Sequence, residues 1–208
     1  MALSALFLLF FLLQHLTINM MSVISPDLFN ETSHFMGTNF IVQFVMQPIL
    51  IFGVVFHFVL GFILELKNRA SREVKYEVFK GQENSTWMSR NMLWTGLAIL
   101  GFVGLHFYDF WLPEMDYKYL SMKPEDPTRY FPELQHKFVD FWRVALYVIS
   151  FVFLGLHLAH GFASAFQSVG LRNKNYAPIL VKLGKIYSVA VPLLFVFIAL
   201  FHYFSQSH

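Results

Sequence analysis

Cysteine is absent from the chain. That one absence excludes a disulfide framework, thiolate metal sites, iron–sulfur ligation and covalent haem attachment through C-x-x-C-H. Charge is scarce too. Only 13% of the 208 residues are Asp, Glu, Lys or Arg, against about 25% in soluble domains. Hydrophobic residues make up 56%, and mean hydropathy is +0.52, so the chain belongs in lipid. A net charge of +2, with no single basic run, argues against a nucleic-acid partner. There is no Rossmann glycine fingerprint and no dicarboxylate site. The first apolar run, residues 2–24, has neither a basic segment ahead of it nor an A-x-A site after it. At about 23 residues it reads as a membrane span rather than a signal peptide.

What the sequence does contain is five apolar runs of spanning length: 2–24, 40–66, 91–112, 141–168 and 183–204. They predict an all-α integral membrane protein of five transmembrane helices in one domain, 1–208. Breakers fall between the runs: Ser25-Pro26-Asp27, Gly81, Pro113, Pro124, Pro127, Pro132 and Pro178. Lys67, Arg69, Arg72, Lys75, Lys80 and Arg90 follow the second run, and Arg172, Lys174, Lys182 and Lys185 follow the fourth. The loop after the first run has Asp27 and Glu31 and no base. Positive charge stays on the cytoplasmic side, which predicts a cytoplasmic N-terminus and an external C-terminus in the cell's cytoplasmic membrane. Trp94, Trp111 and Trp142 lie near run ends, where an interfacial belt places them. The two N-x-S/T sequons, at Asn30 and Asn84, read as chance.

Nine histidines in so apolar a chain need an explanation. Spans 1 to 4 each present one obvious candidate: His15, His57, His106 and His157. A helix rises about 1.5 Å per residue, which puts His15 and His106 roughly 3–7 Å from their span centres toward the outside. By the same rise, His57 and His157 lie roughly 5–6 Å from centre toward the cytoplasm. Two level pairs result, each from non-adjacent spans. A lone intramembrane histidine is more often a helix–helix hydrogen-bonding residue than a ligand. Four in matched pairs at two depths suit bis-imidazole ligation of two b-type haems by a bundle of the first four spans. Gly53 and Gly61, Gly101 and Gly104, and Gly155 and Gly161 are expected to make room for the macrocycles. His160, one turn beyond His157 and less level with His57, is assigned as a haem-propionate or quinone neighbour. His202 reads as interfacial, and His34, His136 and His208 as solvated.

In this order and spacing the residues resemble the cytochrome b558 subunit of succinate dehydrogenase and fumarate reductase, in its single-subunit, five-helix, di-haem form. The carriers are Gln14-His15-Leu16 with Asn19, then His57 with Gly61. Thr95-Gly96 stands ahead of His106, and Gly161 and Gly170 follow His157. The resemblance spans almost the whole chain. It implies His15 with His106 on an outer haem b and His57 with His157 on an inner one, the four acting as axial ligands to iron. It also implies that the chain anchors a flavoprotein carrying FAD and an iron–sulfur subunit. Electrons would run from succinate through those partners and the haems to a quinone, for which menaquinone is expected. The succinate site itself would lie on the partners.

Three departures from the family stand out. A short basic, Ser-containing segment usually precedes span 1. Leu93 stands where many relatives have Arg, which leaves Arg90, about one turn away, as the candidate at the inner propionates. Gly155 replaces an acid found in some fumarate reductases. Glu31, Tyr108 and Asp109 are the candidates for a quinone site on the outer side. Two other classes remain open: a di-haem anchor of another respiratory oxidoreductase, and a His-rich membrane metal enzyme or transporter suggested by His157-x-x-His160.

Overall fold

The computed structural model describes residues 1–70, 91–170 and 176–206, and every regular element among them is helical. Five helices are long and apolar enough to cross a membrane, and they cover the five runs read from sequence. The first is α1 (Ala2–Ile24), followed by a short α2 (Pro26–Thr38). The second span is a π turn (Val42–Met46) running into α3 (Gln47–Ala70). The third begins as α4 (Met92–His106), passes a π turn (Phe107–Trp111) and α5 (Leu112–Met115), and ends in another π turn (Asp116–Leu120). A short α6 (Tyr130–Lys137) precedes the last two spans, α7 (Phe141–Ser168) and α8 (Ala177–Ser205).

The differences from the sequence reading lie at the breakers. Ser25-Pro26-Asp27 starts a helix. The Ser25 hydroxyl accepts the Leu28 N–H at 3.4 Å, Pro26 occupies the first turn, and Asp27 sits where the helix dipole favours an acid. Pro113 does not end the third span, which continues to Leu120. The π turn before it bonds Leu112 N–H five residues back to Phe107 O. The same device precedes Pro48, with Gln47 N–H bonded to Val42 O. In each case the wider turn takes up the disturbance that a missing proline donor causes in an α-helical ladder. Pro178 lies in the first turn of α8, where a missing N–H breaks no helical bond, so that span begins at Ala177 rather than 183.

The tightest packing is around the fifth span. In its most apolar window 39% of residues are buried, against 6% in the second span, so the bundle is closed around α8 and open along α3. One cluster forms the core: Leu16 of α1, Phe29 of α2, Leu134 and Phe138, Val144, Tyr147 and Phe151 of α7, and Val191, Phe195, Ile198 and Ala199 of α8. It lies toward the end that α2 and α6 cap. Phe131 N–H bonds Asn30 Oδ1 at 2.7 Å, and Gln206 Nε2 donates to Gln135 O at 2.8 Å, which ties the two caps and the end of α8 together. Asn30 is therefore buried, with its side-chain oxygen engaged. At the same end Arg129 is ion-paired with Glu114 and Glu133, and Lys118 is ion-paired with Glu114 and donates to the Gly37 carbonyl. Burial opposes the Arg129 charge, and the two carboxylates outweigh it, which holds the guanidinium above its ordinary pKa range.

Candidate functional site

The structure brings the four histidines together in two pairs. His57 of α3 faces His157 of α7 with ring centres 6.5 Å apart and planes at 71°. His15 of α1 faces His106 of α4 with ring centres 5.6 Å apart and planes at 87°. All four side chains are half-buried.

The first pair has its protons placed by two hydroxyls. Ser4 Oγ donates its only hydrogen to Met1 O at 2.8 Å and lies 3.1 Å from His57 Nδ1, so there it can only accept. Thr95 Oγ1 likewise donates to Met92 O at 3.0 Å and lies 3.2 Å from His157 Nδ1. Both imidazoles must then carry their proton on Nδ1, which leaves a lone pair on each Nε2. A second partner on the other ring nitrogen is the device that fixes the tautomer of a metal-binding histidine. Gly96 of α4 packs beside the same ring: a Cβ there would stand in ordinary contact with His157 Cε1, at 3.7 Å.

The second pair sits in an aromatic box and is held differently. Phe11 and Phe195 lie 5.4 and 5.9 Å from the His15 ring, and Phe110 and Phe102 lie 5.1 and 5.9 Å from His106. Asn19 Nδ2 donates to His15 O at 2.8 Å and also reaches His15 Nε2 at 3.3 Å. His106 Nδ1 is buried with no hydrogen-bond partner among the described residues.

One turn further on, Asp109 is only 1% exposed, inside the lengthened third span rather than at its end. Its Oδ2 accepts from Tyr147 Oη at 2.9 Å, and Arg143 Nη1 lies 3.5 Å from Oδ1. Of the three acidic-side candidates, only Asp109 is buried; Glu31 and Tyr108 are exposed.

The remaining expectations divide. Arg90 lies outside the described residues. His160 is half-buried and takes no part in either ring pair. His202, read from sequence as interfacial, lies in the last turn of α8. It is fully buried, with Nε2 2.8 Å from Ser22 Oγ and the ring set among Phe131, Phe138 and Phe201.

The glycines do not act alike. Gly101 and Gly104 are exposed and face open space. A Cβ on Gly155 would meet the Ser188 carbonyl at 3.2 Å, so this glycine serves the α7–α8 contact and not a macrocycle. Gly53, Gly61 and Gly161 are met by the side chains of Phe7, Met1 and Met92.

Two imidazoles bound to one metal from opposite sides hold their ring centres about 6 Å apart, given a metal–nitrogen bond of about 2 Å. Both pairs stand within about half an ångström of that spacing. The His57–His157 pair also has the required tautomers. No group of three or more His, Asp or Glu converges among the described residues. No family model, curated protein or solved structure matches the chain, so the chemistry of these pairs rests on their own geometry.

Proposed function

We propose that this chain is a di-haem cytochrome b membrane anchor of the succinate:quinone oxidoreductase type, carrying electrons between an iron–sulfur partner and a membrane quinone. The observation that supports it most is the His57–His157 pair. The two rings face one another near the spacing of a bis-imidazole site, and each has its proton drawn to Nδ1 by a hydroxyl of another helix. Helix–helix hydrogen bonding alone would not need two such rings opposed with no partner on either Nε2 among the described residues.

In this reading His57 and His157 hold the inner haem b and His15 and His106 the outer one. When bound, the haems supply one-electron redox centres at two depths of the bilayer. The protein's part is positional. Ser4 and Thr95 orient the inner ligands, the phenylalanines around His15 and His106 exclude water, and the open side along α3, Gly101 and Gly104 leaves space. A flavoprotein with FAD and its iron–sulfur partner would dock on the cytoplasmic side, where the basic loops lie, and menaquinone would be served near the outer pair.

A reduced-minus-oxidised spectrum with a pyridine haemochrome assay on the purified chain and its copurifying partners tests this. About two haem b per chain, partly reduced by succinate, is the expected result. A folded, native-source preparation without haem would overturn it. Haem with a different copurifying enzyme would move the chain to another respiratory oxidoreductase.

A further inference from the structure

The fifth span contributes no ligand in the reading above, yet it holds the most buried histidine of the described residues. His202 is 0% exposed, and its Nε2 lies 2.8 Å from Ser22 Oγ. Ser22 Oγ donates its hydrogen to Asn19 O at 2.6 Å, so toward His202 it accepts, and His202 must be protonated on Nε2. Asn19 in turn fastens His15 twice, at its carbonyl (2.8 Å) and at its Nε2 (3.3 Å). A continuous chain of contacts therefore runs from the end of α8 through the last turn and a half of α1 to one ring of the second pair. Phe195, two turns before His202 on α8, stands 5.9 Å from the same ring. Among the described residues no α8 side chain bonds Ser4 or Thr95, the partners of the His57–His157 pair on α1 and α4; α8 meets α1 there through Tyr187 Oη, which donates to Leu9 O at 2.6 Å.

We infer that His202 is a positioning residue for the outer site, acting through Ser22 and Asn19 to set the height and rotation of His15. The inference rests on His15 and His106 being haem ligands. It predicts an asymmetry that a general packing role would not produce: loosening α8 at His202 disturbs one site and spares the other. The aromatic setting of the ring adds to the cost of losing the bond, because a buried Ser22 hydroxyl then loses a donor with no water to replace it.

The test uses the full chain with its partners, reading haem per chain and the low-spin ferric resonance signals of the two haems. In His202→Leu the outer signal is expected to shift and outer-haem affinity to fall about three-fold or more, the effect of one to two interhelical hydrogen bonds. The inner signal stays in place. Ser22→Ala should reproduce the effect, and His202→Gln, which keeps an N–H at similar reach, should restore it.

An unmoved outer signal in both His202→Leu and Ser22→Ala would overturn the inference and leave the di-haem reading intact. So would equal loss of both haems in Ser22→Ala, which marks a packing role. A wild-type chain without two bis-imidazole signals would instead overturn the di-haem reading, and this inference with it.

Discussion

At the scale of single residues, the two hydroxyls beside the His57–His157 pair carry the sharpest expectation. Thr95 Oγ1 is the side-chain partner of His157 Nδ1, and the Met92 carbonyl is a second acceptor for the same ring. Replacing Thr95 by Val keeps the shape and removes the hydroxyl acceptor, so the ring is held by the Met92 carbonyl alone and turns more freely. A lost partner behind a metal-binding histidine costs about tenfold or more in affinity. Thr95→Val should therefore lower inner-haem affinity by about that factor while the outer haem keeps its own, and Thr95→Ser should recover it. Haem titration of the depleted chain, followed in the Soret band, measures both. Equal inner affinity in Thr95→Val would remove the orienting role.

The histidine pairs themselves were legible from the sequence, because a helix converts residue number directly into depth. Their hydroxyl partners were not. Ser4 lies 53 residues from His57 in an otherwise apolar run, and only the crossing of α1 with α3 brings them together. The burial of His202 was missed for a related reason: its position near a span end suggested an interface and said nothing of its packing. The signal that would have corrected it is the stripe Gly184, Ser188, Val191, Phe195, Ile198 and His202, at steps of three and four. All six are buried, and the stripe marks the face of α8 that meets α1 and α7.

At the scale of elements, the contact between α7 and α8 depends on small residues. Gly155 lets the Ser188 backbone approach so closely that a Cβ would stand 3.2 Å from its carbonyl oxygen, with Pro192 Cγ at 3.5 Å. Backbone cannot yield as a flexible side chain does, and Pro192 stiffens α8 at that point. Gly155→Ala is expected to destabilise the bundle by about 1–2 kcal/mol, as overpacking does elsewhere. Gly101→Ala, facing open space, should be neutral or stabilising by up to about 1 kcal/mol, since alanine is the better helix former. Denaturation of the two variants side by side in detergent compares them; equal effects would mean that the close approach of α7 and α8 is not what Gly155 provides.

The element boundaries show where sequence reading stops. Pro26, Pro113 and Pro178 were taken as punctuation, yet Pro26 and Pro178 begin helices and Pro113, like Pro48 inside the second span, follows a π turn that lets the helix run on. Position relative to the hydrogen-bond ladder decides which of these a proline does, and that is set by packing several turns away. The short α2 and α6 were hidden as well. Their sequences are only weakly apolar, and they are held by long-range bonds such as Asn30 to Phe131.

At the scale of the whole molecule, five crossings would put the two ends of the chain on opposite sides of the membrane. Which end faces the cytoplasm then follows from charge. The basic loops after the second and fourth spans share one side, and the side capped by α2 and α6 has fewer bases. Two of those bases, Lys118 and Arg129, are tied into ion pairs with Glu114 and, for Arg129, Glu133. A free Lys or Arg resists translocation, and its count near span ends sets orientation. The basic-loop side is therefore expected to be cytoplasmic, which puts the His57–His157 pair nearer the cytoplasm and the His15–His106 pair nearer the outside. A phosphatase active only outside the cytoplasm, fused after Ser205, should be active; the same enzyme fused within the loop after Lys80 should be silent. The opposite pattern would place the basic loops outside, and a soluble iron–sulfur partner would then have to meet the α2–α6 cap and the His15–His106 pair first. The order of the two sites along the electron path would be reversed, although every contact within each pair would stand unchanged.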